Sequence, residues 1–209
     1  MSEPAIVRIP NGQFAQNCYL IADALSGEAV VVDPGEEWER ILHEAETRGW
    51  RIGAIWLTHA HIDHILGVAG VREATGAPIL LHPADRPLYD SLPEQALWFG
   101  FRLQPPPPPD RPLAQDDVLS VGPHRFRVRH APGHSPGSVC LLGEGLALVG
   151  DVLFAGSIGR SDLPGGDGAE LLRTIRRELL SLDDDTRVLP GHGPETTVGA
   201  ERRSNPFLS

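Results

Sequence analysis

Residues 58–64 read THAHIDH, and within this stretch His59, His61, Asp63 and His64 place three imidazoles and a carboxylate close together. These groups bind borderline divalent metals. The flanks give the stretch a structural setting. Residues 52–57 (IGAIWL) form an apolar run long enough for a buried strand and too short for a helix. From Ile65 an apolar segment continues to Ala74 before Gly76 and Pro78 stop it, which predicts a helix. The polar residues therefore fall on a loop at a strand end, where α/β folds build their sites. A strand would send His59 and His61 to one face and His64 to the other, whereas a loop opening into a helix lets all four converge. A lone histidine there would be a solvated turn residue; three with an interleaved aspartate point to a metal centre.

Three further polar residues share that setting, each just past a predicted strand and beside glycine: His134 in APGHSPGS, Asp151 in LVGDVLF and His192 in LPGHGP. Glycine lets the backbone turn sharply and bring side chains to a common point. A catalytic site with three protein ligands leaves a position for water, and two such sites sharing a carboxylate need seven ligands. The expected division is His59, His61 and His134 on a first ion, Asp63, His64 and His192 on a second, and Asp151 between them. His43, His82, His124 and His130 lack the glycine-flanked setting and are expected to be surface residues or supports. Asp33, in Asp33-Pro34-Gly35, is either an acceptor for a ligand histidine's second N–H or a plain turn residue.

The rest of the chain alternates strand and helix. Runs at 5–9, 18–22 and 28–32 predict an antiparallel meander, and helical spacing of Trp38, Ile41, Leu42 and Ala45 predicts a helix over 36–48. Strands are expected at 78–81, 118–121, 126–128, 139–142, 146–149 and 187–189, with a helix at 169–180. The pattern indicates an α/β fold with roughly doubled architecture. Between Pro83 and Pro112 periodicity gives way to prolines and aromatics, which predicts an irregular, lid-like segment. Its proline run at 105–109 would be an extended spacer. Trp98, Phe99 and Phe101 are expected to fill a satellite core, with a pocket wall or an oligomer contact as alternatives.

The chain has 209 residues, 41% apolar and 22% charged, as one soluble domain over 1–209 would. No stretch reaches eighteen consecutive apolar residues, so no membrane span is expected. The N-terminal MSEPAIVRIP has neither the basic nor the apolar part of a leader, which predicts a cytoplasmic location. A net charge of −10 argues against a nucleic-acid partner. Cys18 and Cys140 each lie in an apolar run and are expected to be buried free thiols.

HxHxDH, followed in order by the GHSPGS, GD and GHG segments, resembles the metallo-β-lactamase superfamily. That resemblance implies a four-layer αβ/βα sandwich. QNCYL at 16–20, DPG at 33–35, GRSDLPGGD at 159–167 and TTVGAERRSNPFL at 196–208 are similar to its glyoxalase II (hydroxyacylglutathione hydrolase) branch, in a short form without the C-terminal helical extension. The branch implies two divalent ions, zinc first and iron or manganese as the other choices. It also implies hydrolysis of a small thioester such as S-lactoylglutathione by a hydroxide bridging ions about 3.5 to 4 Å apart. Asp63 would orient that hydroxide. Arg160 falls near a basic substrate contact of the branch, with Asp162 where an aromatic would be expected. A homo-oligomer is compatible with this family. The alternative on the same fold is a persulfide dioxygenase with one iron on His59, His134 and Asp151.

Overall fold

The structure, a computed structural model, describes residues 3–100 and 102–208. Phe101 lies outside the described residues. The first sheet is built from β1 (Ala5–Asn11), β2 (Gln16–Ala22), β3 (Glu28–Val32), β4 (Arg51–Trp56), β5 (Ile79–Leu81) and β6 (Arg111–Pro112), paired in that order. The first two pairings are antiparallel, as the meander predicts, and the last three are parallel. Parallel neighbours need crossovers, and helices supply them: α1 (Trp38–Thr47), then α2 (Ile62–Ile65) with α3 (Val68–Thr75), then α4 (Arg86–Asp90) with α5 (Leu92–Trp98).

The second sheet runs in the order β14, β13, β10, β9, β8, β7. Its strands are β7 (Val118–Val121), β8 (His124–His130), β9 (Val139–Gly143), β10 (Leu146–Gly150), β13 (Arg187–Pro190) and β14 (Thr196–Thr197). A small hairpin of β11 (Leu153–Phe154) and β12 (Ser157–Ile158) stands apart. Helix α6 (Gly168–Thr174), which continues as a π turn over Ile175–Leu179, and α7 (Val198–Ser204) complete the chain.

Strand periodicity sorts the side chains into layers. On β2, Tyr19 and Ile21 join Val30, Val32, Trp56 and residues of the second sheet, among them Phe126, Val128 and Leu141, in one core between the sheets. The alternate residues Cys18 and Leu20 face the other way and pack with Ile41, Ala45, Val68, Val71 and Tyr89 of the helices. On the second sheet Cys140, Ala147 and Val149 turn outward onto Leu171, Ile175, Leu179 and Val198. The result is the four-layer αβ/βα sandwich. Both cysteines are buried and free. No helix among the described residues is long and apolar enough to cross a membrane.

The helix predicted from Ile65 is broken. Its first turn starts at Ile62, so Asp63 and His64 are helical, and a kink at Leu66–Gly67 separates α2 from α3. The kink is where the Asp33–Gly35 turn presses in: Gly67 N–H donates to Pro34 O at 3.0 Å, and a Cβ on Gly67 would sit 2.2 Å from Gly35 O.

The segment 83–112 is irregular only in its second half. A 3₁₀ turn (Pro83–Asp85), α4 and α5 occupy most of its first half. Pro87 and Pro93 lie in the first turns of α4 and α5, where a missing N–H costs nothing. The prolines at 105–109 then return the chain, outside helix and strand, to the sheet edge. There Pro107 O accepts from the Tyr89 hydroxyl at 2.7 Å. Trp98 and Phe99 are 67% and 48% exposed, so they fill no satellite core. His124, expected at the surface or as a support, is buried, between Asp23 and Glu144.

The two sheets meet through Trp56 on β4 and Phe126 on β8, whose rings are 5.8 Å apart in a tilted edge contact. Phe126→Ala is expected to lower stability by about 3–5 kcal/mol through lost burial and an unfilled cavity. A urea unfolding curve should show a lower midpoint at unchanged slope; a midpoint within error of the parent would remove this pair from the sheet-to-sheet contact.

Candidate metal centre

Every loop that carries a predicted ligand leaves the same end of the sandwich. His59, His61, Asp63 and His64 follow β4 of the first sheet; His134 follows β8, Asp151 follows β10 and His192 follows β13 of the second. Burying the core between the sheets therefore brings these loops together. His61 Nδ1 and His59 Nε2 lie 2.8 and 3.2 Å from His134 Nε2. Asp63 Oδ2 lies 3.0 Å from His192 Nε2 and 3.6 Å from His64 Nε2. Asp151 reaches both groups: Oδ1 is 3.3 Å from His64 Nε2, and Oδ2 is 3.6 and 3.7 Å from the Nε2 atoms of His192 and His134. His59, His61 and His134 form one group whose donor atoms lie close enough to share an ion, and Asp63, His64 and His192 form another.

Hydrogen bonds behind the rings fix which nitrogens carry hydrogen and which face inward. His134 Nδ1–H donates to Arg160 O at 2.7 Å. His59 Nδ1–H donates to Thr58 Oγ1 at 3.1 Å, whose own hydrogen goes to Asp33 Oδ2 at 2.6 Å. His64 Nδ1–H donates to the same Asp33 oxygen at 2.9 Å. The three Nε2 lone pairs are thereby turned into the centre, as ligand histidines require. Asp33 is thus an acceptor for a ligand's N–H, the first of the two roles considered for it. It also lies near His59 and His64 in a third group of close donor atoms, but its engagement with Thr58 and His64 Nδ1 leaves it behind the rings.

Electrostatics agree with a cation. Burial, reinforced by neighbouring histidines, pushes His59 well below the usual imidazole range and His61 down to about 3. Burial alone would raise Asp63 and Asp151, but His64 beside them holds both carboxyls below the ordinary range. For His64 the balance reverses: burial would lower it, and Asp63 and Asp151 drive it well up. A proton favoured on His64 thus answers the negative potential of the two carboxylates, which divalent ions would satisfy in its place. His64 Nε2 and Asp151 Oδ1 are buried without a hydrogen-bond partner, which is where a ligand atom awaiting a metal would be found. A Cβ on Gly191 would come within 2.2 Å of Asp151 Oδ1 and 2.7 Å of His64 Cε1, so only glycine leaves this cradle open.

Two supports carried no sequence signal of their own. The buried Asp85 carboxylate accepts from Ala60 N at 2.9 Å, Gly137 N at 2.5 Å and Ser135 Oγ at 2.8 Å, tying the first ligand loop to the His134 loop. Gln95 on α5 accepts from Ile62 N at 2.9 Å and donates to Ala60 O at 3.2 Å, fixing the backbone on either side of His61. Neither sits in a motif, and the polar residues beside them in sequence, Arg86 and Glu94, give no sign of which one is buried. Arg160 lines the cleft above the centre, its guanidinium on Asp162 through two contacts of 2.8 and 2.9 Å.

Asp33→Asn keeps the shape but presents an amide where two hydrogens point. It is expected to weaken metal binding about 10- to 100-fold, as loss of an outer partner of a ligand histidine does. Competition against a chromophoric chelator measures this, and an unchanged affinity would return Asp33 to a turn role.

The model of the metallo-β-lactamase superfamily matches residues 11–192. The chain is 40% identical over 205 residues to hydroxyacylglutathione hydrolase GloC of Haemophilus influenzae, covering 96% of each protein. Among solved structures it is similar to TTHA1623 in a di-iron-bound form, with 44% identity, a TM-score of 0.89, and coverage of 97% of this chain and 100% of that one. It is also similar to the B3 metallo-β-lactamase BLEG-1, with 39% identity, a TM-score of 0.92, and coverage of 98% and 100%. With the fold, the ordered motifs and these matches in agreement, the chain belongs to the metallo-β-lactamase superfamily.

Proposed function

We propose that the chain is a binuclear metal-dependent hydrolase that cleaves thioesters, S-lactoylglutathione being the first to try. The observation that carries this is the pair of three-ligand clusters, His59, His61, His134 and Asp63, His64, His192, within reach of one shared Asp151. The similarity to a hydroxyacylglutathione hydrolase over nearly the whole length of both proteins supports the thioester substrate. Two divalent ions, zinc first with iron or manganese as the other choices, would supply Lewis acidity and lower the pKa of water from about 15.7 to about 7.

The chain's own residues do the rest. Asp63 lines the cleft, and beyond its place among the ligands its carboxylate orients the attacking water. In the net reaction water's oxygen joins the acyl carbon and the C–S bond breaks. The thiol leaves with one hydrogen, and the carboxylic acid ionises to release a proton. The apolar lining of the cleft limits bulk water around the reacting carbonyl and so strengthens the electrostatics that act on it. Arg160 stands where a substrate contact is proposed.

Release of free thiol from S-lactoylglutathione, with and without a metal-stripping chelator, tests this. Chelator-sensitive turnover with kcat/KM of about 10⁴ M⁻¹s⁻¹ or more is expected. His61→Ala and Asp151→Ala should each lower it by about 10³-fold or more while the circular dichroism spectrum is kept. Equal activity of parent and variants at matched metal content refutes the ligand assignment. A single iron per chain with oxygen uptake on glutathione persulfide would replace the hydrolase by the dioxygenase on His59, His134 and Asp151.

A further inference from the structure

Next to the metal centre lies a cavity of 640 Å³, a size that suits a small organic molecule. Its lining is largely carbon. Phe14, from the β1–β2 hairpin, meets Phe99 edge to face at 4.9 Å, and Trp98 stands beside them two-thirds exposed. Phe154 and Ile158 of the β11–β12 hairpin also line it, and the Phe154 ring is 6.1 Å from the ring of His192. Apolar surface thus runs from the rim to the ligands themselves. A cluster of aromatics left open on a folded chain marks a surface that a ligand covers.

The charges in this lining point the same way. Outside the ligands, Arg160 is the cation among the described lining residues, and Asp162 holds its guanidinium through two contacts. Glu94 adds a negative charge at the rim. An anionic substrate arm would meet an arginine already paired with a carboxylate and the further carboxylate of Glu94. A substrate built on glutathione, with two carboxylates against one ammonium, is poorly served by such a wall.

We propose that the preferred substrate is an acyl thioester with an apolar acyl group, aromatic or medium-chain, on an uncharged thiol, held by Trp98 and Phe99. This rests on the thioester-hydrolase assignment and narrows its substrate class. Trp98 and Phe99 hold the apolar group, and the Arg160–Asp162 pair disfavours anionic thiols.

Four thioesters crossing octanoyl or lactoyl with glutathione or N-acetylcysteamine separate the two parts. Octanoyl-N-acetylcysteamine is expected to exceed S-lactoylglutathione in kcat/KM by about tenfold or more. Trp98→Ala and Phe99→Ala should draw the octanoyl-to-lactoyl ratio toward one, mainly through KM. Asp162→Asn, by freeing Arg160, should raise kcat/KM several-fold on both glutathione thioesters relative to their N-acetylcysteamine partners. Best turnover of S-lactoylglutathione, or an acyl ratio untouched by Trp98→Ala, overturns the proposal. Calorimetric binding of the S-octyl thioether of N-acetylcysteamine, which cannot be hydrolysed, keeps the two levels apart. If the thioether binds the parent and tenfold more weakly to Trp98→Ala while no thioester is cleaved, the hydrolase reading fails and the apolar site stands. If the thioether does not bind, the apolar site fails whatever the chemistry.

Discussion

Asp33 follows β3 with φ at +52°, a left-handed backbone conformation uncommon for residues other than glycine. What holds it is its carboxylate. Oδ1 accepts from Thr58 N–H at 2.7 Å, and Oδ2 from the Thr58 hydroxyl at 2.6 Å and from His64 at 2.9 Å. A carboxylate this deeply buried is costly unless donors surround it, and here three do. The same bonds join the ends of two parallel strands and aim a ligand. Backbone strain, strand pairing and ligand orientation are therefore one arrangement, and none can be altered alone.

Asp85 performs the corresponding service across the sandwich. Its acceptors bind the loop after β4 to the loop after β8, so a residue that touches no ligand sets the distance between His59 and His134. The sheets themselves are held by carbon packing around Trp56 and Phe126, which fixes their separation but has little directionality. Directional buried hydrogen bonds at the loop end convert that coarse placement into contacts of a few ångström. A centre drawn from both halves of a chain requires this division of labour.

The convergence of these histidines and aspartates was legible because metal chemistry leaves few choices of residue, and glycine-flanked loops after apolar runs mark where such residues can meet. The core strands were legible for a similar reason, since burial on both faces demands continuous Val, Ile and Leu. What escaped were features decided by neighbours distant in sequence. The break at Gly67 exists because the Asp33–Gly35 turn presses on it. Prolines 87 and 93 signalled irregular chain, yet in a first helical turn they are compatible with α4 and α5. The aromatics at 98 and 99 have a core-like composition, but they sit at the end of a helix that overhangs the cleft. Asp85 and Gln95 act through backbone groups, which any sequence supplies, so no partner residue announces them. Burial of His124 reflects the packing of the first residue of β8 against Asp23 and Glu144, again a tertiary matter.

The centre and its cleft have opposite characters, and each needs the other. Five imidazoles and two carboxylates gathered in one place form a site that water would solvate and weaken. The Phe154 ring beside His192, and the Phe14–Phe99 pair farther out, replace part of that water with low-dielectric surface. In such surroundings a polarised carbonyl is stabilised by charges already in position, without the reorganisation that bulk water would require. The same surface attracts the apolar part of any molecule that brings a carbonyl to the centre. Because they line the cleft over the ligands, Phe14, Trp98, Phe99 and Phe154 are subject to both demands, and a polar replacement among them would act on binding and on the chemical step together.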